Sequence, residues 1–481
     1  MTLMKSLLLG SAATLMVVAG AQAADLPTKK GAPAAQYVKI CNIGGIAGFI
    51  IPGSDTCLKI SGLVTAQTTF GSTANQYNIA TSTSGSVTSI VPNHLGVSTY
   101  GDTRNQFGMY TRGQIKVDAV SNTAYGPLLA HITMEENDGA GFDSSNSFEL
   151  DGAYIQWAGI TAGYHASFFT FIEGGYAWDD LLSSKFDPTN QLAYTASFGG
   201  GFSATLSLEV PEAFGGQTAI TESTPANVYG PTNAGTVLGT QSPDIVAALD
   251  VTQGWGSAHL GGLLHQVRQS DGAYDPTVST VNDWGWGVLG GVSFNLPMLG
   301  AGADIKLQAQ YTDGAIGYTH LFGIGAFNLS GTTYDGATSD AYYNSVTDTW
   351  TKPTAWGAAF QIDLPLGPTF KIVPEGSYGE IRLSTSSATA GYVAGTSSGY
   401  FSSLSPQVDL FVGGATFEWT PVKNLVFDLD LLYADGHQNA PTGWGYYRAS
   451  GTGLVTADTT TNAWKTNFDG FNGKLRIERD F

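Results

Sequence analysis

The stretch from Gly473 to Phe481 repeats every two residues, and that period limits what the chain can fold into. Leu475, Ile477 and Phe481 share one parity, and Lys474, Arg476, Glu478 and Asp480 share the other. A period of two belongs to a β-strand with one apolar and one charged face. Arg479 breaks the apolar parity, but it lies next to the end, where a long side chain reaches the polar boundary. A strand in this position pairs with another strand or leaves an open edge. In a membrane-spanning barrel it pairs with the first strand and closes the cylinder.

Composition decides which β-architecture to expect. Charged residues make 12 % of the 481, aromatics another 12 %, and there are 63 glycines. The charge is about half the roughly 25 % of a soluble globular chain. A mean hydropathy of +0.01 is too polar for a bundle of membrane helices. Together these fit a transmembrane β-barrel in which lipid-facing and lumen-facing residues alternate. A secreted β-sandwich or β-helix shares the composition.

The first residues read as an export signal: Lys5, an apolar run from Ser6 to Gly20, and an Ala21-Gln22-Ala23 cleavage site. Cleavage after Ala23 removes Lys5 and no acid, taking the net charge from −19 to −20. So acidic a chain is a poor nucleic-acid binder. No stretch of 18 apolar residues follows, so the mature chain spans a membrane with strands if it spans one at all. Cys41 and Cys57 are the only cysteines. In an exported chain they are expected to pair, stapling a hairpin-like segment ahead of the barrel. The metal-ligand alternative lacks a nearby His or a second cysteine pair. The expected layout is therefore a signal over 1–23, a lead and stapled segment over 24–56, and a barrel over 57–481.

From Cys57 onward about sixteen alternating segments can be drawn. The first has Lys59, Ser61, Thr65 and Gln67 opposite Leu58, Ile60, Val64 and Ala66. The second has Tyr110, Arg112, Gln114, Lys116 and Asp118 opposite Phe107, Met109, Ile115 and Val117. Long connections follow odd strands (Pro211–Pro243, Gly314–Pro353, Ser384–Ser405) and short ones follow even strands (Gly199–Gly201, Thr420–Lys423). Bacterial barrels have long extracellular loops and short periplasmic turns, whereas a sandwich has no reason to sort its loops this way. The fold expected is all-β, a sixteen-stranded antiparallel transmembrane barrel. Trp157, Trp284, Trp286, Trp356, Trp419, Tyr433 and Trp464 lie near strand ends, as interfacial girdles do; sandwich core is the other reading.

At this point the chain resembles a known family. Ala24 to Pro27, Tyr37 to Cys41, Pro52 to Gly62, Tyr154 to Gly163, Ser167 to Phe169 and Leu475 to Phe481 are similar to the general porins of alphaproteobacteria of the rhizobial and brucella group. The resemblance implies a trimeric sixteen-stranded barrel in the outer membrane of a Gram-negative bacterium, surrounded by lipid and lipopolysaccharide. Small hydrophilic solutes would diffuse through it passively, without a cofactor or metal. It implies that Phe481 is read by the machinery that inserts such barrels. It also implies a basic residue after Gly163, where this chain has Tyr164 and His165.

The resemblance further implies that the third long loop, Ala166 to Gln191, folds inward to make the constriction. That loop carries Glu173, Asp179, Asp180 and Asp187, with Lys185 as its only cation. Lys59, Arg112, Lys116, Lys474 and Arg476 share the lumen parity, and barrel closure makes their three strands neighbours. An acidic loop facing a basic wall gives a transverse field. Ordinary solvated lumen charges are the plainer reading. Other chemistry finds no support. His259 and His265 lie three steps apart on one face, too far for one metal. Glu135 and Glu136 point to opposite faces. The Ser residues lack a nucleophile elbow and no phosphate loop is present. A diffusion channel is the expected function, with a sugar- or anion-preferring channel as alternative. An outer-membrane lipase and a secreted sugar-binding protein are the readings from other classes.

Overall fold

The computed structural model describes residues 39–72, 79–84, 87–92, 107–141, 146–172, 188–210, 232–233, 236–270, 279–319, 339–344, 348–384, 405–439, 446–449, 455–458 and 467–481. Its sheet is a closed antiparallel barrel of sixteen strands. The first eight are β1 (Cys57–Ser72), β2 (Phe107–Thr123), β3 (Gly126–Gly141), β4 (Asn146–Trp157), β5 (Ile160–Ala166), β6 (Pro188–Gly199), β7 (Phe202–Val210) and β8 (Asp244–Gln253). The second eight are β9 (Gly256–Ser270), β10 (Thr280–Asn295), β11 (Asp304–Asp313), β12 (Thr354–Pro365), β13 (Phe370–Arg382), β14 (Gln407–Val422), β15 (Leu425–Gln438) and β16 (Asn467–Asp480). Each strand pairs with the next, and β16 pairs with β1 from Phe471↔Ser72 to Asp480↔Leu63. Closure leaves no edge, so every strand can satisfy its backbone within the sheet.

The alternation read in the sequence is the inside–outside alternation of the barrel. On β1, Thr65, Gln67 and Thr69 are buried while Ile60 and Val64 are exposed. On β2, Tyr110 and Gln114 are buried against exposed Phe107, Met109 and Ile115. On β16, Lys474 is buried and Leu475 and Ile477 are exposed. The exposed apolar face is the lipid-facing one. It carries ring pairs at two levels: Trp286–Tyr311 and Trp356–Tyr378 toward the long-loop end, Phe370–Trp419 and Trp419–Phe427 toward the short-turn end. Trp464 lies outside the described residues.

The short connections are tight. Trp157 pairs with Ile160 across Ala158 and Gly159, whose φ values of 51° and 87° both fall in the left-handed region. That is the hairpin turn whose twist matches the flanking strands.

The seam between β16 and β1 has two particular features. Phe481 donates its N–H to the Gly62 carbonyl and accepts from the Gly62 N–H (2.9 and 3.2 Å). Phe70 lies opposite Gly473, where any side chain larger than hydrogen would collide with its ring. Arg479 does not extend into lipid. Its guanidinium donates to the carbonyls of Asn424 (2.8 Å) and Lys423 (3.3 Å) in the β14–β15 turn.

Ahead of β1, Ile40–Ile43 and Ile46–Ile50 form a hairpin, and Cys41 is disulfide-bonded to Cys57. The hairpin pairs with the start of β1 through Phe49↔Leu58 and Ile50↔Cys57. It thus continues the sheet below the point where β16 stops. Residues 1–38, including the expected signal, lie outside the described residues.

Candidate functional site

The barrel interior is built from the inward parity of each strand, and its two sides differ. On one side the five cations singled out in the sequence sit on three neighbouring strands. Register places Lys474 opposite Thr69, Arg476 opposite Gln67, Arg112 opposite Thr65, Lys116 opposite Ser61, and Lys59 opposite Asp118. They therefore descend along β1 over ten residues, about 33 Å at 3.3 Å per residue. Arg476 and Arg112 are the central pair, two rungs apart on either side of β1.

These cations are interleaved with carboxylates that the linear sequence did not associate with them. Arg112 contacts Glu135 at 3.1 Å, and its Nε donates to Asn137 Oδ1 at 2.8 Å. Gln114 donates to Glu135 (2.9 Å) and Asp151 (3.1 Å). Asp428 and Asp430 of β15 lie opposite Arg476 and Lys474. Glu478 contacts Arg476 at 3.6 Å and accepts from Thr65 at 2.9 Å. Such pairing is what an inward strand face requires, since a buried charge without a partner is costly. The pairing continues around the wall: Lys306 to Asp363 (3.1 Å), Lys371 to Asp363 (3.5 Å), and Lys371 to Glu418 (2.8 Å). Glu135 is inside and Glu136 outside, as their parity requires.

On the other side the interior is packed. After β5 the chain turns inward. Ser167 Oγ accepts the Phe169 N–H (3.1 Å), and its carbonyl accepts the Thr170 hydroxyl (2.9 Å). Phe169 is fully buried among Val246 of β8, Leu263 of β9, Leu289 of β10, Ala315 and Tyr318. Phe168 donates its N–H to Glu209 Oε1 of β7 (3.3 Å), and Ile172 donates its N–H to Gln308 Oε1 of β11 (2.8 Å). The start of the third long loop therefore lies against the inner wall of β7–β12. Glu173, Asp179, Asp180 and Asp187 lie outside the described residues. Thr189 and Gln191, read as loop, belong to β6, which begins at Pro188.

Tyr164 and His165 stand where the resemblance leads one to expect a base. His165 stacks on Phe168 at 5.8 Å and meets Tyr154 edge-on at 4.5 Å. It supports the inward turn by packing. A buried group at the long-loop end ties down a second inward segment. His265 is held by Asp244 (2.9 Å) and Asp340 (3.4 Å), and the Tyr318 hydroxyl donates to Asp244 (2.5 Å). Among the described residues no group of three or more His, Cys, Asp or Glu side chains could hold a metal ion.

Known proteins agree with this architecture. A family profile described as "Porin subfamily" matches residues 25–467. The protein "Porin Omp2b" of Brucella suis biovar 1 (strain 1330) is 30 % identical over 399 residues, covering 78 % of this chain and 92 % of that protein. "Porin Omp2b" of Brucella neotomae is 29 % identical over 400 residues, with the same coverage. Among solved structures, the outer membrane channel DcaP of Acinetobacter baumannii superposes with a TM-score of 0.54. It covers 91 % of this chain and 100 % of its own, at 14 % identity. That likeness is one of fold.

Proposed function

The chain belongs to the porin subfamily and forms a diffusion channel in the outer membrane, and on that premise we propose that it passes small hydrophilic solutes and ions through a charged constriction. The observation that carries this is the closed barrel with a polar, ion-paired wall on one side and an inward-turned segment packed on the other. The gap between them is the path. We assign the constriction's basic side to Arg112, Arg476 and Lys474, with Lys116 and Lys59 below them. Glu173, Asp179, Asp180 and Asp187 supply its acidic side. The carboxylates paired to the wall make this field weaker than five bare cations would give, because each ion pair cancels at distances beyond its own separation.

The working assembly is a homotrimer in lipid and lipopolysaccharide, after removal of residues 1–23. Membership of the porin subfamily supports the trimer, and the start of the family match at residue 25 supports the cut. The chain acts as a channel and not as an enzyme, and no finding favours a sugar- or anion-preferring pore.

Planar-bilayer recording tests the reading. Purified protein should give stepwise conductance increments, and none at any voltage overturns it. Asp179→Asn combined with Asp180→Asn should move the reversal potential toward anions; an unmoved potential removes both residues from the constriction. Liposome swelling with neutral sugars of increasing size gives the exclusion limit.

A further inference from the structure

The inward segment does more than pack. Between Ala166 and Ile172 it crosses from β5 to β12, held by two backbone-to-side-chain bonds, the one at Ile172 buried, and two aromatic seats. One seat holds Phe169 in its apolar cluster. The other holds Phe171, whose ring stacks on His259 of β9 at 5.8 Å with an interplanar angle of 19°. That seat exists because position 291 on β10 has no side chain: a Cβ there would collide with the Phe171 ring. One residue beyond Phe171, Gln308 of β11, itself 4 % exposed, accepts the buried N–H of Ile172 at 2.8 Å.

We propose that Gly291 and Gln308 are specificity-determining positions: they fix how closely the inward segment hugs the β9–β11 wall, and so set the calibre of the pore. This rests on the channel reading above. The physical argument is geometric. The wall behind Phe171 is the sheet itself, whose ladder cannot retreat, so any volume added at position 291 pushes the ring toward the lumen. The Gln308 amide holds the main chain immediately after the ring. Without it the Ile172 N–H is buried and unpaired, which favours moving the segment toward water. Neither residue carries charge, so substituting either one alters calibre without removing a charge from the constriction.

The neighbouring glycine supplies an internal control. Gly290 lies on the same strand with outward parity, and a Cβ there meets nothing within 4 Å. Single-channel conductance and sugar-exclusion limits should be measured for wild type, Gly290→Val, Gly291→Val, Phe171→Ala and the Gly291→Val/Phe171→Ala double variant. Gly291→Val should lower conductance about two-fold and reject the larger sugars, since the displaced ring narrows the path. Gly290→Val should match wild type. The double variant should return toward wild type, because the ring that the valine displaces is gone. Gln308→Leu should change conductance and the sugar-exclusion limit.

A conducting wild type with Gly291→Val and Gln308→Leu both unchanged overturns the proposal and leaves the channel reading intact. A silent wild type overturns the channel reading. If Gly291→Val fails to assemble, Phe171→Ala and Gln308→Leu, which add no bulk to the wall, decide the matter: wild-type conductance and exclusion limit in both overturns the proposal.

Discussion

The inner faces of β8–β10, where Phe169 is seated, and of β15–β4 (running through the β16–β1 seam) come from the same two-residue period, yet their chemistry differs. On β8–β10 the inward positions include Val246, Leu263 and Leu289, close-packed around Phe169. On β15, β16, β2 and β3 they include Asp428, which lies opposite Arg476 in register, and Arg112, which is ion-paired to Glu135. Strand patterning tells inside from outside, but not whether the inside is packed or wet. That depends on what comes to lie against it. Where a loop turns inward, the interior behaves as a protein core, governed by volume. Where water fills the gap, it is governed by charge pairing and screening.

Four perturbations probe this contrast, starting with the largest. Deleting Asn467–Phe481 removes the partner of both β15 and β1, so no closed barrel should form; heat-modifiable migration on gels should be lost altogether. Phe169→Ala empties the packed side and should cost about 3–5 kcal/mol by analogy with buried Phe→Ala changes in cores. Denaturant unfolding in detergent checks it, and a loss below about 1 kcal/mol would mean that side is not a core. Replacing Cys41 and Cys57 by Ser frees the hairpin beneath the seam. With the partners 16 positions apart in sequence, chain entropy predicts a loss of about 3 kcal/mol, read from the same unfolding curves.

Arg112→Ala touches the wet side. It should destabilise by only about 1–3 kcal/mol, since Glu135 keeps Gln114 and Asn137 as donors. It should move the reversal potential toward cations, an effect absent from Phe169→Ala. If both variants shift selectivity equally, the division between walls fails.

Most of the architecture was legible in the sequence. Sixteen alternating segments, the loop-length alternation and the parity of residues such as Gln114 and Leu475 all follow from local pattern. So did the disulfide, because two cysteines in an exported chain have few other uses. The partners across strands were not legible. Nothing in linear order links Arg112 to Glu135, or Arg476 to Asp428, since both depend on register fixed over whole strands. Gly291 and Gln308 were invisible for a different reason. A glycine in a strand and a polar inward residue are ordinary in a barrel, and only the arrival of Phe171 and Ile172 from a distant loop gives them a role. His165 showed a local signal, as a departure from the expected base, but its stacking on Phe168 needed the structure.

The seating of Phe70 over Gly473 has a consequence for fidelity. A slip of two residues at the seam would keep every side chain on its proper face, so hydrophobicity alone cannot detect the error. It would nevertheless carry Lys474 and Arg476 about 7 Å along the strand relative to Arg112. In such a slip Phe70 would lie opposite Phe471 or Leu475, whose side chains occupy the space its ring needs. One ring over one glycine thus acts as a spelling check on the seam, rejecting barrels that are well greased but wrongly charged.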